Sequence, residues 1–418
     1  MFFAPDYNEK LLPKTKFDFM KSANNFCGII ALLLTLPFLS FSNTNPTISS
    51  SFEFFAQKLN VKYNPDMFDV EDVCIKQKCF KRFYEAMEKK PYKELLKDLQ
   101  EYQKQLKLND WLTYKMTKMA VNEILKKSKD ELQKGFTTWF LLTEMGYDIR
   151  VAVTDQGDPF LYAKTEEAMG TVPSFTDGDY KFVNLTAVDF KVDTKKIELY
   201  KPEFIANRKG KAFQFHFTTA PEIKSKAVDK SVTFTYKDKE YTLNFKVDQT
   251  YAEEMANYPR VGAMGFMNAP LSETTQSTLL PELKEMMEGK SNEEALEVLV
   301  AFTRTGFKYK SDWNIYDDEH PMFAEEVFMS EYSDHEDRSA LLYFLIKETL
   351  DLPMIVITHY NYNTTIGVEL DGDIKRPYEY KGKNYVICDP MTPTSTSAIG
   401  KWPNGMTNNT AKVVGKYR

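Results

Sequence analysis

The stretch "YSDHEDRSALLYFLIKETLDLP", residues 332–353, runs four ionisable side chains, Asp334, His335, Glu336 and Asp337, straight into an apolar segment. Ala340 to Ile346 is apolar on every side, and a helix of that kind lies at the centre of a domain rather than on its surface. Pro353 ends it. Asp334 reads as the N-cap, and acidic groups in the first turn stabilise such a helix by roughly 0.3–1 kcal/mol each. The tetrad also contains only metal-ligand residue types. Adjacent helical positions point about 100° apart and no second His falls four residues on, so one ion cannot collect the four, and neither a metal nor a cofactor is expected.

Downstream, "MIVITHY" (354–360) and "TTIGVEL" (364–370) read as strands around a turn at Asn361–Asn363, and "YEYKGKNYVICDP" (378–390) reads as a hairpin ending at Asp389. The expected architecture is a buried helix packed on an antiparallel sheet. Upstream, residues 50–135 read as helices, with apolar residues at three- and four-residue intervals and a helix start at Asn109 and Asp110. "WFLLTEMGYDIRVAV" (139–153) then gives a helix, a stop at Gly146 and a buried strand. The same step recurs at 341–358, which raises a duplicated unit.

From about 171 to 255 the period changes to two. "KAFQFHFTT" (211–219) sets Phe213, Phe215 and Phe217 on one face and Gln214 and His216 on the other, His216 reading as solvated or cross-strand. "SVTFTYKDKEYTLNFKV" (231–247) is a hairpin, Val232, Phe234 and Tyr236 facing Tyr241, Leu243 and Phe245 around its Lys-Asp-Lys-Glu turn. A small antiparallel sandwich fits this region. "YPRVGAMGFMNAPLS" (258–272) reads as a linker into the last domain, and Ser291 with Glu294 as a capping box for the next helix. The fold class expected is therefore α+β, divided as 1–42, a leader; 43–170, mostly helical; 171–257, β-rich; and 258–418, the helix-on-sheet domain.

The chain has 418 residues, 43% hydrophobic and 14% aromatic, enough for real cores. With 54 basic against 60 acidic residues and a formal charge of -6, it has no single-sign field, so nucleic acid is not an expected partner. "MKSANNFCGIIALLLTLPFLSFSN" (20–43) has Lys21, an apolar run from Phe26 to Phe41 containing Pro37, and small residues Ser40 and Ser42: a secretory signal, too short for a stable span. Translation starting at Met20 rather than Met1 and a mature chain beginning near Asn43, with a charge near -7, follow as expectations. Cys74 and Cys79 in "CIKQKC" either close a small disulfide in an oxidising compartment or remain ordinary thiols on a helix.

The pattern "YSDHEDRSALLYFLI", a strand, "NTTIGVEL" and "YKGKNYVICDP" resembles the transglutaminase-like proteins exported by Bacteroidetes. Their order is Asp-Cys-Glu-Asp-Arg-Ser at the helix start, His opening a strand and Cys-Asp-Pro closing another. "LKLNDWLTYKM" (106–116), "WFLLTEMGYD" (139–148) and the run from Asn268 to Asp312 are similar to these proteins too, so the resemblance spans most of the mature chain. It implies a transglutaminase-like, papain-like core for residues 258–418. It also implies a thiol at a helix N-terminus, a His that moves the proton and an Asp that orients the His.

Carried over, the Cys position falls on His335, the His position on Asn363 and the Asp position on Asp389. His335 has no identified base beside it, Asn363 accepts no proton near neutral pH, and its neighbours Tyr362, Thr364 and Thr365 are no better. Cys388 is expected to face the core, His359 to lie within swinging distance of Asp389, and His320 to be exposed. The resemblance thus implies an exported protein with a degenerate triad, its inherited cleft binding a protein or peptide of the cell envelope. An active hydrolase or acyltransferase and a structural module of an envelope assembly are the competing expectations.

Overall fold

In the computed structural model the described residues are 45–418, apart from 72, 193–196, 225, 317–319, 360–363, 373–376, 392–398 and 404–405, and apart from the side chains at 315–316. The stretch 20–43, expected to be a secretory signal, and Asn363 lie outside them. Residues Asn45–Arg418 form one compact unit of mixed α+β structure, with a continuous apolar core reaching from Phe52 to Cys388.

The first described element is a hairpin, Ile48–Phe54 paired with Gln57–Tyr63, where helix was expected. Its burial alternates: Phe52, Phe54, Leu59 and Val61 face the core while their neighbours face outward, a period that no helix provides. Helices Gln77–Met87, Lys93–Gln105, Asp110–Ile124 and Glu131–Glu144 follow. The Asn109 side chain caps the third by accepting the Leu112 N–H at 3.1 Å. Gly146, at φ +95°, ends the fourth, in the left-handed region where glycine meets no steric penalty.

Ile149–Val153 is the edge strand of a four-stranded antiparallel sheet, continued by Pro159–Thr165, Tyr180–Asn184 and Ser174–Asp177. Residues 213–217 belong to no ladder, although Phe213, Phe215 and Phe217 are buried as the period of two requires. The N–H groups of residues 213–216 go instead to the Lys164 carbonyl and to the carboxylates of Asp110 and Glu167. The hairpin Ala227–Tyr236 with Lys239–Asp248 forms where expected, but it closes two residues tighter than a Lys-Asp-Lys-Glu turn implies, so Val232 pairs with Leu243 and Phe234 with Tyr241. Its two-residue turn places Lys237 and Asp238 at φ +50° and +59°, the backbone of a type I′ turn.

The 258–272 segment is packed rather than loose: it holds a short helix, Ala263–Met267, and buries Tyr258, Met267, Ala269 and Leu271. The helices Glu273–Met287 and Asn292–Thr305 come next, the second with the expected Ser291–Glu294 capping box. They lead to the central helix, His335–Thr349, buried without interruption from Asp337 to Ile346. The central helix packs on a five-stranded antiparallel sheet in the order Tyr378–Tyr380, Lys383–Cys388, Thr364–Glu369, Met354–Thr358 and Lys412–Tyr417, a last strand not anticipated from the sequence. "MIVI" (354–357) is apolar throughout because both faces of that sheet are covered. Met354 and Val356 meet the main core, while Ile355 and Ile357 join Tyr385, Ile387 and Trp402 on the far face. Among the described residues no helix is long and apolar enough to cross a membrane.

Candidate functional site

The start of the central helix is fixed from two sides. Lys308–Tyr309 runs parallel to Tyr332–Ser333, which brings Asp312 alongside the first turn. From the sheet side, the Ser339 hydroxyl donates to the Thr364 carbonyl at 2.6 Å. The head of the Thr364–Glu369 strand is therefore held one turn beyond His335. Ile366 pairs with Cys388, so the chain end carrying Asp389 arrives at the same end of the sheet.

His335 is 6% exposed, its ring lies edge-on to Tyr309 at 6.0 Å, and its buried Nε2 has no hydrogen-bond partner. Burial first, then the positive charge of Arg338 and the nearby His359, hold it down to about 4, so it is neutral at physiological pH. Asp389 is buried and accepts the Met391 N–H at 2.9 Å; burial raises its pKa against the opposing pull of Arg304 and Arg338. The Arg338 charge thus acts on both His335 and Asp389. The Arg338 guanidinium directs its N–H groups to neutral oxygens, those of Ser333 Oγ and the Arg304 and Phe307 carbonyls. Burial pushes it down to about 10.

The other sequence-derived groups fall differently. Cys388 is fully buried in the main core, and burial followed by the Asp389 charge pushes its thiol far above the usual range. It is the free cysteine among the described residues, since Cys74 and Cys79 form a disulfide. His359 has other partners: its Nδ1 lies 3.0 Å from the Thr410 hydroxyl and its ring lies edge-on to Trp402. His320 is half-buried, and its N–H donates to Asp312 Oδ2 at 2.6 Å.

Two members of the tetrad, three residues apart rather than adjacent, do converge. Asp334 precedes the helix and Asp337 is one turn in, so the pair shares a face. With Asp312 they form three buried carboxylates whose nearest oxygens all lie within 4.8 Å of one another. Asp337 accepts the N–H groups of Met322 and Asp334 at 2.7 and 2.9 Å, and Asp334 Oδ2 accepts that of Asp312 at 3.4 Å. Burial, then the Asp334 charge, raises Asp337 well above the carboxylate range, and the same two causes raise Glu336. Asp312, 22 residues before Asp334, carries no local signal for this meeting; only the parallel pairing creates it.

A cleft of about 1270 Å³ opens elsewhere, beside Phe344 and Lys347 in the second half of the central helix. His216 lines it, its Nδ1 2.5 Å from Glu167 Oε1, while Glu167 Oε2 accepts the N–H groups of Phe215 and His216 at 3.1 Å. No protein-family model, curated protein or solved structure matches the chain.

Proposed function

We propose that this is an exported protein built on a transglutaminase-like plan that performs no thiol chemistry and binds a peptide or another component of the cell envelope. The observation that carries the reading is the first turn of the central helix. A neutral, buried imidazole, His335, stands where that plan needs a thiolate, and the nearest candidate thiol, Cys388, is sealed in the core and held protonated. A thiolate is the nucleophile in such chemistry, so a thiol with a raised pKa and no access does not substitute for it.

Two further features support the rest of the reading. The Cys74–Cys79 disulfide suits an oxidising compartment. The large cleft offers Lys107, Lys284 and Lys347 beside Glu222, Glu273 and Phe217, a mixed lining suited to a polypeptide. Incubating the purified protein with casein or a glutamine-donor peptide is expected to give no turnover, before or after treatment with an alkylating reagent. Robust hydrolysis or transamidation that alkylation abolishes would overturn the proposal.

A further inference from the structure

The three converging carboxylates at the start of the central helix are an unfavourable arrangement unless something compensates them. Each is at least nine-tenths buried, and like charges this close repel strongly away from water. The N–H groups of Met322, Asp334, Asp312 and His320 offset part of that repulsion. One atom is left over: Asp334 Oδ1, on a side chain 6% exposed, is buried and accepts no hydrogen bond. A carboxylate oxygen in that position lacks either a proton or a cation.

We propose that Asp312, Asp334 and Asp337 bind a calcium ion that ties Asp312 to the first turn of the central helix. The donor set is all oxygen, which selects a hard cation over zinc or copper. Calcium makes bonds of roughly 2.3–2.6 Å, so oxygens up to about 5 Å apart fit around a single ion. That span covers the separation of these three groups without movement of the backbone. Magnesium dehydrates reluctantly and keeps several waters, which a site buried this deeply disfavours. The aspartates must be ionised to bind the ion, so acidification weakens binding. The inference does not rest on the functional reading above.

The test titrates the full chain with calcium chloride while thermal unfolding is followed. Terbium is used in parallel, its luminescence excited through Trp313, the residue next to Asp312. Calcium is expected to raise the unfolding temperature in a saturable way and to displace terbium. Asp334→Asn, of the same size but without the charge, is expected to weaken calcium binding by at least about tenfold, and Asp312→Asn likewise. In EDTA both variants are expected to unfold at temperatures no lower than the parent, since each loses a repulsive charge, which separates loss of binding from misfolding. An unfolding temperature indifferent to calcium up to about 10 mM, a weak extracellular-type affinity limit, would overturn the site. So would asparagine variants that respond like the parent, or magnesium producing the same shift at the same concentration.

Discussion

Ser339 donates its hydroxyl to the main-chain carbonyl of Thr364 across 2.6 Å, with both residues buried. This bond fixes the central helix against the head of a sheet strand, and so sets where His335 sits relative to the strand ends. Ser339→Ala removes the donor and is expected to cost about 1–2 kcal/mol in urea unfolding, the usual range for a buried hydrogen bond. A variant as stable as the parent would show that packing alone holds this junction.

The neutral state of His335 makes stability depend on pH. Its pKa is about 4 in the folded chain against 6.5 for the free side chain. Between these values the unfolded chain binds the extra proton, so its contribution is complete above pH 6.5, falls as pH drops toward 4, and levels off below. The full effect is about 3 kcal/mol. His335→Gln should flatten that part of the stability profile between pH 4 and 6.5; an unchanged slope would place the titration elsewhere.

Glu326 has the opposite sign. Burial is the main cause that lifts it to about 8, and the Phe323 N–H and Lys191 only partly offset this. The unfolded chain loses this proton near pH 4.5 while the folded chain keeps it, so stability falls as pH rises from 4.5 to 8 and is flat beyond. Glu326→Gln keeps an acceptor for Phe323 and carries no charge. It is expected to match the parent at pH 4 and exceed it by about 2–4 kcal/mol at pH 9, measured by chemical denaturation.

Local signals in the sequence were legible wherever the partner was a few residues away. Asn109 and Ser291–Glu294 cap the helices they precede, and the hairpin around Lys237–Asp238 buries Phe234, Tyr236, Leu243 and Phe245 on the face its alternation implies. The segment 213–217 shows the limit. Its alternation announced the buried phenylalanines correctly, but its N–H partners are Asp110, about a hundred residues away, and Glu167, so it joins no sheet. The Ile48–Phe54 hairpin was hidden by the strong helical period that follows it. At the candidate site, His335 at a helix start and Asp389 just past a strand end were legible from local pattern. Asp312 was not, because a two-residue parallel pairing between distant segments leaves no trace in composition or period.

Glu325 tests a different kind of burial. Its carboxylate accepts the N–H groups of Asp248 and Ser272 at 3.0 Å, and the hydroxyls of Ser272 and Thr275 at 2.8 and 2.5 Å. It thereby joins the N-caps of two helices, Gln249–Met255 and Glu273–Met287, to its own. Glu325→Ala strands buried donors and is expected to cost about 3–5 kcal/mol, whereas Glu325→Gln, which keeps one acceptor oxygen, should cost less than half of that. Equal losses in the two variants would mean that volume, not hydrogen bonding, is what the position supplies.

The last prediction concerns the residue at the helix start. His335→Cys puts a thiol at the first position of a fifteen-residue helix, where the free N–H groups and the helix dipole favour a thiolate. Arg338, which already depresses the histidine there, adds a positive charge one turn on. Burial opposes both effects, because position 335 is only 6% exposed. The balance is judged against Cys388, which is wholly buried and feels the Asp389 carboxylate. The introduced thiol should therefore react with iodoacetamide at least about tenfold faster than Cys388 in the folded protein, with the reaction read by peptide mass spectrometry. Its rate should fall when Arg338 is also replaced by Gln, provided circular dichroism shows that the double variant remains folded. If the introduced thiol and Cys388 react equally slowly, burial outweighs the dipole at this helix start, and restoring the thiol alone does not restore its chemistry.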